Sequence, residues 1–169
     1  MVIIRFERPD DAMAISQLHT ATFERQAEAN LVENLRQEAI EAISLVAERA
    51  EELVGHILFT PVALTKQGEK LSGLGLGPMA VMPSLQRQGI GTLLLGEGLK
   101  ECRARGCRFV VVLGHPEYYP RFGFSPAHLQ GLCCEFPVPP EAFMLLELSP
   151  GALRDHAGVI KYHPAFHRV

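Results

Sequence analysis

The run Gln86-Arg87-Gln88-Gly89-Ile90-Gly91 stands between an apolar stretch, LGLGPMAVMP at 74–83, and TLLLGEGLKECRARG at 92–106, which reads as an amphipathic helix. A glycine-bearing turn at a helix start presents backbone N–H groups that have no intrahelical partner, at the positive end of the helix dipole. The natural occupant is an anion, most often a phosphate. Two common phosphate loops fail on residues. A P-loop needs Lys and then Ser or Thr after its last glycine, and Gly91 is followed directly by Thr92. The dinucleotide fingerprint would need glycine at the position of Leu94 and should close the first strand of the fold. A helix start whose glycines serve only tight packing stays open as the alternative reading.

Working outward, the helix predicted from Gly89 to about Arg105 carries Ile90, Leu94, Leu95, Leu99 and Cys102 along one stripe. Gly91 and Gly98 lie inside that stripe, where a helix backbone would approach a sheet closely. Arg103 and Arg105 suit its C-terminal end and Gly106 its stop. RFVVVLG at 108–114 is a near-continuous apolar strand, as in a parallel pair covered on both faces. Strand, crossover helix and strand form a right-handed unit. Upstream, VIIRFER at 2–8 alternates as a strand, and Pro9 and Asp10 open a helix bearing Ala14, Ile15, Leu18 and Phe23. ANLVENLRQ at 29–37 is a second helix with Leu31 and Leu35. Residues 43–65 read as two strands around a turn at 50–52, and 69–83 as a third after the polar turn KQGE. FMLLELS at 143–149 offers a last strand. The fold class is α/β: a mixed central sheet, with an antiparallel meander plus the parallel unit, flanked by helices.

The chain has 169 residues, 47% of them hydrophobic, with no linker or charge block to divide it, so one domain spanning 1–169 is expected. A formal charge of −3 without clustering leaves no electrostatic footprint for nucleic acid or an acidic membrane surface. The apolar part of MVIIRFERPD is short for a signal peptide, and no apolar run reaches membrane-spanning length, so a cytoplasmic location is expected. Cys102, Cys107, Cys133 and Cys134 form no C-x-x-C pair and read as buried or idle thiols.

MAVMPSLQRQGIGTLLL at 79–95 resembles the acyl-CoA-binding motif of the GNAT superfamily of N-acetyltransferases, [Q/R]-x-x-G-x-[G/A], filled here by Gln86, Gly89 and Gly91. YYPRFGF at 118–124 resembles that superfamily's Y-x-x-x-G-F segment, with Tyr119 four residues before Gly123. The wider pattern, from LVENLR through LVAE and GHILF to VVLGHPEYYPRFGF, is similar to the YhbS-like predicted acetyltransferases of bacteria and covers nearly the whole chain.

The resemblance implies acetyl-CoA as cosubstrate, its pyrophosphate on backbone amides from Arg87 through Gln88, Gly89, Ile90 and Gly91 to Thr92. The pantetheine would bond backbone groups near Met79, Ala80 and Val81. Gly77-Pro78 would supply a break or bulge in that strand, although a simple bend reads equally well there. Direct transfer needs a neutral amine as nucleophile, and the leaving thiolate benefits from a proton. The family places that donor at Tyr119, while Tyr118 reads as packing.

Many relatives carry a Glu on the strand after the motif helix and an Asn just beyond it. This chain has FVVVLG and then His115-Pro116. His115 and Glu117 are therefore the candidates to take the amine's proton. Glu33 and Glu38, on the helix that commonly lines the acceptor side, are weaker ones. His56, between apolar neighbours, reads as a strand residue facing a polar surface. His156, His163 and His167 lack ligand spacing, so no metal is expected. The expected partner is a small-molecule or peptide amine acceptor, with no nucleic acid and no membrane; homodimerisation is left open. A catalytically silent acyl-CoA-binding regulatory module and an interaction protein on a related fold stand as alternatives to the enzyme.

Overall fold

The computed structural model describes residues 1–38, 40–66 and 69–169; Gln67 and Gly68, half of the anticipated KQGE turn, lie outside them. The described residues form two compact units, and β3 (Glu52–Lys66) and β4 (Glu69–Val81) each contribute to both.

The first unit comprises Met1–Phe59, Pro78–Glu101 and Pro164–Val169. β1 (Val2–Phe6) pairs antiparallel with β2 (Ile43–Arg49), which pairs antiparallel with β3 as far as Phe59, and β4 follows β3 in the strand order. The β2–β3 turn is the one predicted at 50–52. Ala50 (φ 52°) and Glu51 (φ 65°) both adopt left-handed conformations, as a two-residue hairpin requires to match strand twist. α1 (Ala12–Phe23) and α2 (Ala27–Gln37) cover one sheet face, where Ile15, Leu31, Val32 and Leu35 pack with Val46 and Leu58. Asp11, just before α1, takes Arg5 in a bidentate pair at 2.8 and 3.0 Å and also accepts the Arg8 N–H. α3 (Ile90–Ala104) packs on the alternate strand residues. A Cβ added at Gly55 would lie 2.8 Å from Leu94, and one added at Gly98 would lie 2.4 Å from Phe59, so the glycine in the helix stripe does permit close approach.

The second unit comprises Thr60–Gly77 and Cys102–His163. β4 pairs in parallel with β5 (Phe109–Leu113) only from Leu74 to Leu76, which bears out the strand–helix–strand reading. β5 pairs antiparallel with β8 (Phe143–Glu147), and β6 (Ser125–Pro126) adds to β8. Here the strand inventory differs from that expected. FMLLELS is not the last strand: β9 (Gly158–Lys161) follows it, pairing with β3 and with the short β7 (Leu132–Cys134). Four residues with one alternation leave almost no local signal; their partners lie far away in sequence.

Candidate functional site

In the first unit, β4 ends where Met82 donates its N–H to the Val54 carbonyl at 2.8 Å. Pro83–Leu85 then make one 3-10 turn. The Gln86 amide reaches back to the Val81 carbonyl at 3.1 Å, which gives that motif residue a bracing role. Thr22 of α1 donates to the same carbonyl at 3.3 Å. Arg87 (φ 64°) and Gly89 (φ 90°) turn the chain sharply into α3, and a Cβ at Gly89 would meet nothing within 4 Å. In the first turn Leu93 donates its N–H to the Gly89 carbonyl at 3.0 Å. The Ile90 and Gly91 amides precede that bond, beside an exposed run from Gln86 to Gly89. That open, donor-rich surface fits a pyrophosphate without any lysine. Met79 and Val81 are half-buried and Ala80 is buried, on the β4 segment beyond Gly77 (φ 137°). The strand runs through Gly77 without ending.

The same unit corrects the reading of His56. It faces no polar surface: it is 0% exposed, and its Nδ1 lies 2.8 Å from Nε2 of His19, itself 0% exposed. Strand alternation puts His56 on the face of Val54 and Leu58, both buried, because α1 and α2 cover that face. That V-x-H-x-L pattern was the available signal. His56 Nε2 lies 2.8 Å from Ser44 Oγ, and Ser44 donates to Glu7. Burial pushes the His19 ring down to about 4, against a small upward pull from Glu28, and pushes His56 well below its ordinary value. Nothing local in the sequence marked His19, Ser44, Glu7 or Thr22. Glu33 pairs with Arg36 and Glu38 with Arg168, so neither stands as an isolated base.

In the second unit, the loop after β5 carries His115, Glu117 and Tyr119. The His115 carbonyl accepts Tyr118 N–H at 3.1 Å and Tyr119 N–H at 3.5 Å, curling the chain into the 3-10 turn Tyr119–Phe122. Gly123 (φ 96°) ends that turn. Tyr119 is 7% exposed and packs edge-on to Tyr118 and Phe124. Burial, aided by neighbouring Tyr118, pushes its hydroxyl up to about 12, so it stays protonated at neutral pH. Tyr118 packs on Phe122 beneath the Arg121 guanidinium, as a packing residue should. The His115 and Glu117 side chains are exposed. All four cysteines are free thiols; Cys102 is buried and Cys133 exposed. Among the described residues, no three His, Cys, Asp or Glu side chains are placed to hold a metal ion, and no helix is long and apolar enough to cross a membrane.

Residues 4–127 match the family model described as an acetyltransferase (GNAT) domain. The chain is 38% identical over 168 residues, 99% of each chain, to a protein of Escherichia coli K12 described as the uncharacterized N-acetyltransferase YhbS. The E. coli YhbS crystal structure in complex with CoA superposes with a TM-score of 0.93 at 38% identity, covering 99% of this chain and 92% of that one. A GNAT family acetyltransferase from Brucella melitensis, in complex with acetyl-CoA, gives 0.82 at 36% identity and covers 98% of each.

Proposed function

Because the chain belongs to the GNAT family of acetyl-CoA-dependent N-acetyltransferases, we propose that it moves an acetyl group to a primary amine of a small molecule or a protein by direct attack in a ternary complex. The observation that carries this reading is the exposed, glycine-bearing turn at the head of α3, with the Ile90 and Gly91 amides ahead of the Leu93–Gly89 bond. Backbone donors of Arg87 through Thr92 hold the pyrophosphate, and main-chain groups of Met79, Ala80 and Val81 align the pantetheine. Acetyl-CoA supplies the activated acetyl group as a thioester. Tyr119 holds the proton destined for the leaving thiolate, and its raised hydroxyl pKa keeps that proton in place until it is needed. Either His115 or Glu117, both exposed on the same loop, takes the one proton released by the amine.

We read residues 1–169 as one N-acetyltransferase domain acting in the cytoplasm, where free thiols such as these persist. The test is a thiol-release assay with acetyl-CoA across a broad panel of primary amines, paired with calorimetry of CoA binding. Turnover on a panel member supports the reading. CoA binding with no turnover on any amine would replace it with the silent acyl-CoA-binding module.

A further inference from the structure

Four side chains of the first unit bond one another in a row, and the direction of every proton in that row follows from one end. Arg36 holds the Glu7 carboxylate through Nη2 at 2.9 Å and Nε at 3.2 Å, so Glu7 is an anionic acceptor. The Ser44 hydroxyl donates to Glu7 Oε1 at 2.9 Å. With its own proton committed, Ser44 Oγ accepts from His56 Nε2 at 2.8 Å. His56 is then the Nε2–H tautomer, and its bare Nδ1 accepts the Nε2–H of His19 at 2.8 Å. His19 Nδ1 is left as a lone pair, buried and without a hydrogen-bond partner among the described residues. Neither ring takes a further proton cheaply. One added to His56 Nδ1 would meet the His19 N–H head on, and one added to His19 Nδ1 would be a buried charge without an acceptor.

The row also spans elements. His19 belongs to α1, His56 to β3 and Ser44 to β2; Glu7 follows β1 and Arg36 belongs to α2. One turn beyond His19, Thr22 ties α1 to the Val81 carbonyl of β4. We propose that the row Glu7–Ser44–His56–His19 is an acid-sensitive latch: it fastens α1 and α2 to the sheet while both rings are neutral, and proton uptake by the pair releases the helices together with the Thr22 tie on β4. The link to the cosubstrate strand rests on the acetyl-transfer reading; the latch itself does not.

The charges facing the pair are Glu28 and Arg36 from α2, Asp11 from the turn before α1 and Glu7 just after β1. Glu28 favours a protonated His19 and Asp11 a protonated His56, while Arg36 and each other's charge oppose it at His56; burial outweighs them all. Both folded rings therefore lie below their ordinary value near 6.5, and stability from their neutral state is complete above that pH and lost below it. Each ring contributes up to about tenfold per pH unit to the released population, so two rings give up to about a hundredfold.

Amide hydrogen exchange of the full chain from pH 7.5 to 4.5, corrected for intrinsic rates, tests this directly. Protection of α1 amides should be flat above about pH 6.5 and then fall by more than tenfold per unit, while α3 amides from Leu94 to Cys102 do not follow. His56→Gln, which can bond both neighbours but cannot titrate, should reduce the fall to tenfold per unit or less. Should that variant not fold, the wild-type slope and the nitrogen tautomers of both rings by NMR decide. PH-independent α1 protection, or a ring titrating near 6.5 in the folded chain, overturns the latch. Exchange and NMR need no amine acceptor, so failure to find turnover leaves these readings intact.

Discussion

The Tyr119 ring occupies the space that any side chain at Gly114 would need: a Cβ built there lies 2.3 Å from ring atom Cε2 and 3.0 Å from Cδ2. Gly114 is itself pinned, its N–H donating to the Ala142 carbonyl at 3.0 Å, so the backbone has little freedom to yield. Gly114→Ala should therefore push the Tyr119 hydroxyl out of place. Turnover should fall about tenfold or more while CoA affinity changes little, because a small misplacement of a proton donor is costly. Steady-state kinetics beside calorimetry would check this; unchanged turnover would detach Tyr119 from the chemistry.

Tyr119→Phe removes the hydroxyl at nearly constant volume. CoA affinity should persist and turnover should drop by about one to three orders of magnitude, the scale of a lost general acid. With its hydroxyl pushed up to about 12, wild-type Tyr119 should cause no loss of rate between pH 7 and 9. An alkaline decline in that window that disappears in Tyr119→Phe would contradict the raised hydroxyl, and unchanged turnover in Tyr119→Phe would contradict its role as proton donor.

At the phosphate turn, backbone shape should matter more than side-chain charge. Gly89→Val forces a β-branched residue to φ 90° and fills the open space above the turn, so CoA binding should weaken by at least about tenfold. Arg87→Gly relieves a non-glycine residue at φ 64° and should leave CoA affinity within a few-fold. Parent-like CoA affinity in Gly89→Val would refute the main-chain cradle.

Within α3, two glycines should respond in opposite directions to the same substitution. Gly96→Ala meets nothing within 4 Å and should stabilise by up to about 1 kcal/mol through helix propensity. Gly98→Ala places a Cβ 2.4 Å from the fully buried Phe59 ring. Overpacking of about 1–3 kcal/mol should exceed the propensity gain and lower Tm by a few degrees. Thermal unfolding of the two single variants decides between them.

If His115 takes the amine's proton, His115→Ala should lower turnover by about one to three orders of magnitude without altering CoA binding, as steady-state kinetics beside calorimetry would show. Parent-like turnover in both His115→Ala and Glu117→Gln would move proton removal to water.

The sequence by itself determined what repeats at short range. The stripe from Ile90 to Cys102, the stop at Gly106, the turn at 50–52 and the apolar β5 follow from periods of 3.6 and 2 and from local turn chemistry. The motif spacing of Gln86, Gly89, Gly91 and Tyr119 was equally local, and it led to the family. Only the tertiary structure decided which polar side chains are sealed from water. His19 and His56 meet across 37 residues, Thr22 reaches Val81 across 59, and β9 exists because β3 and β7 receive it. A histidine on an apolar strand face reads the same whether water or a helix lies above it. What covers the face sets the desolvation cost of its charge, and that cover comes from residues far away along the chain.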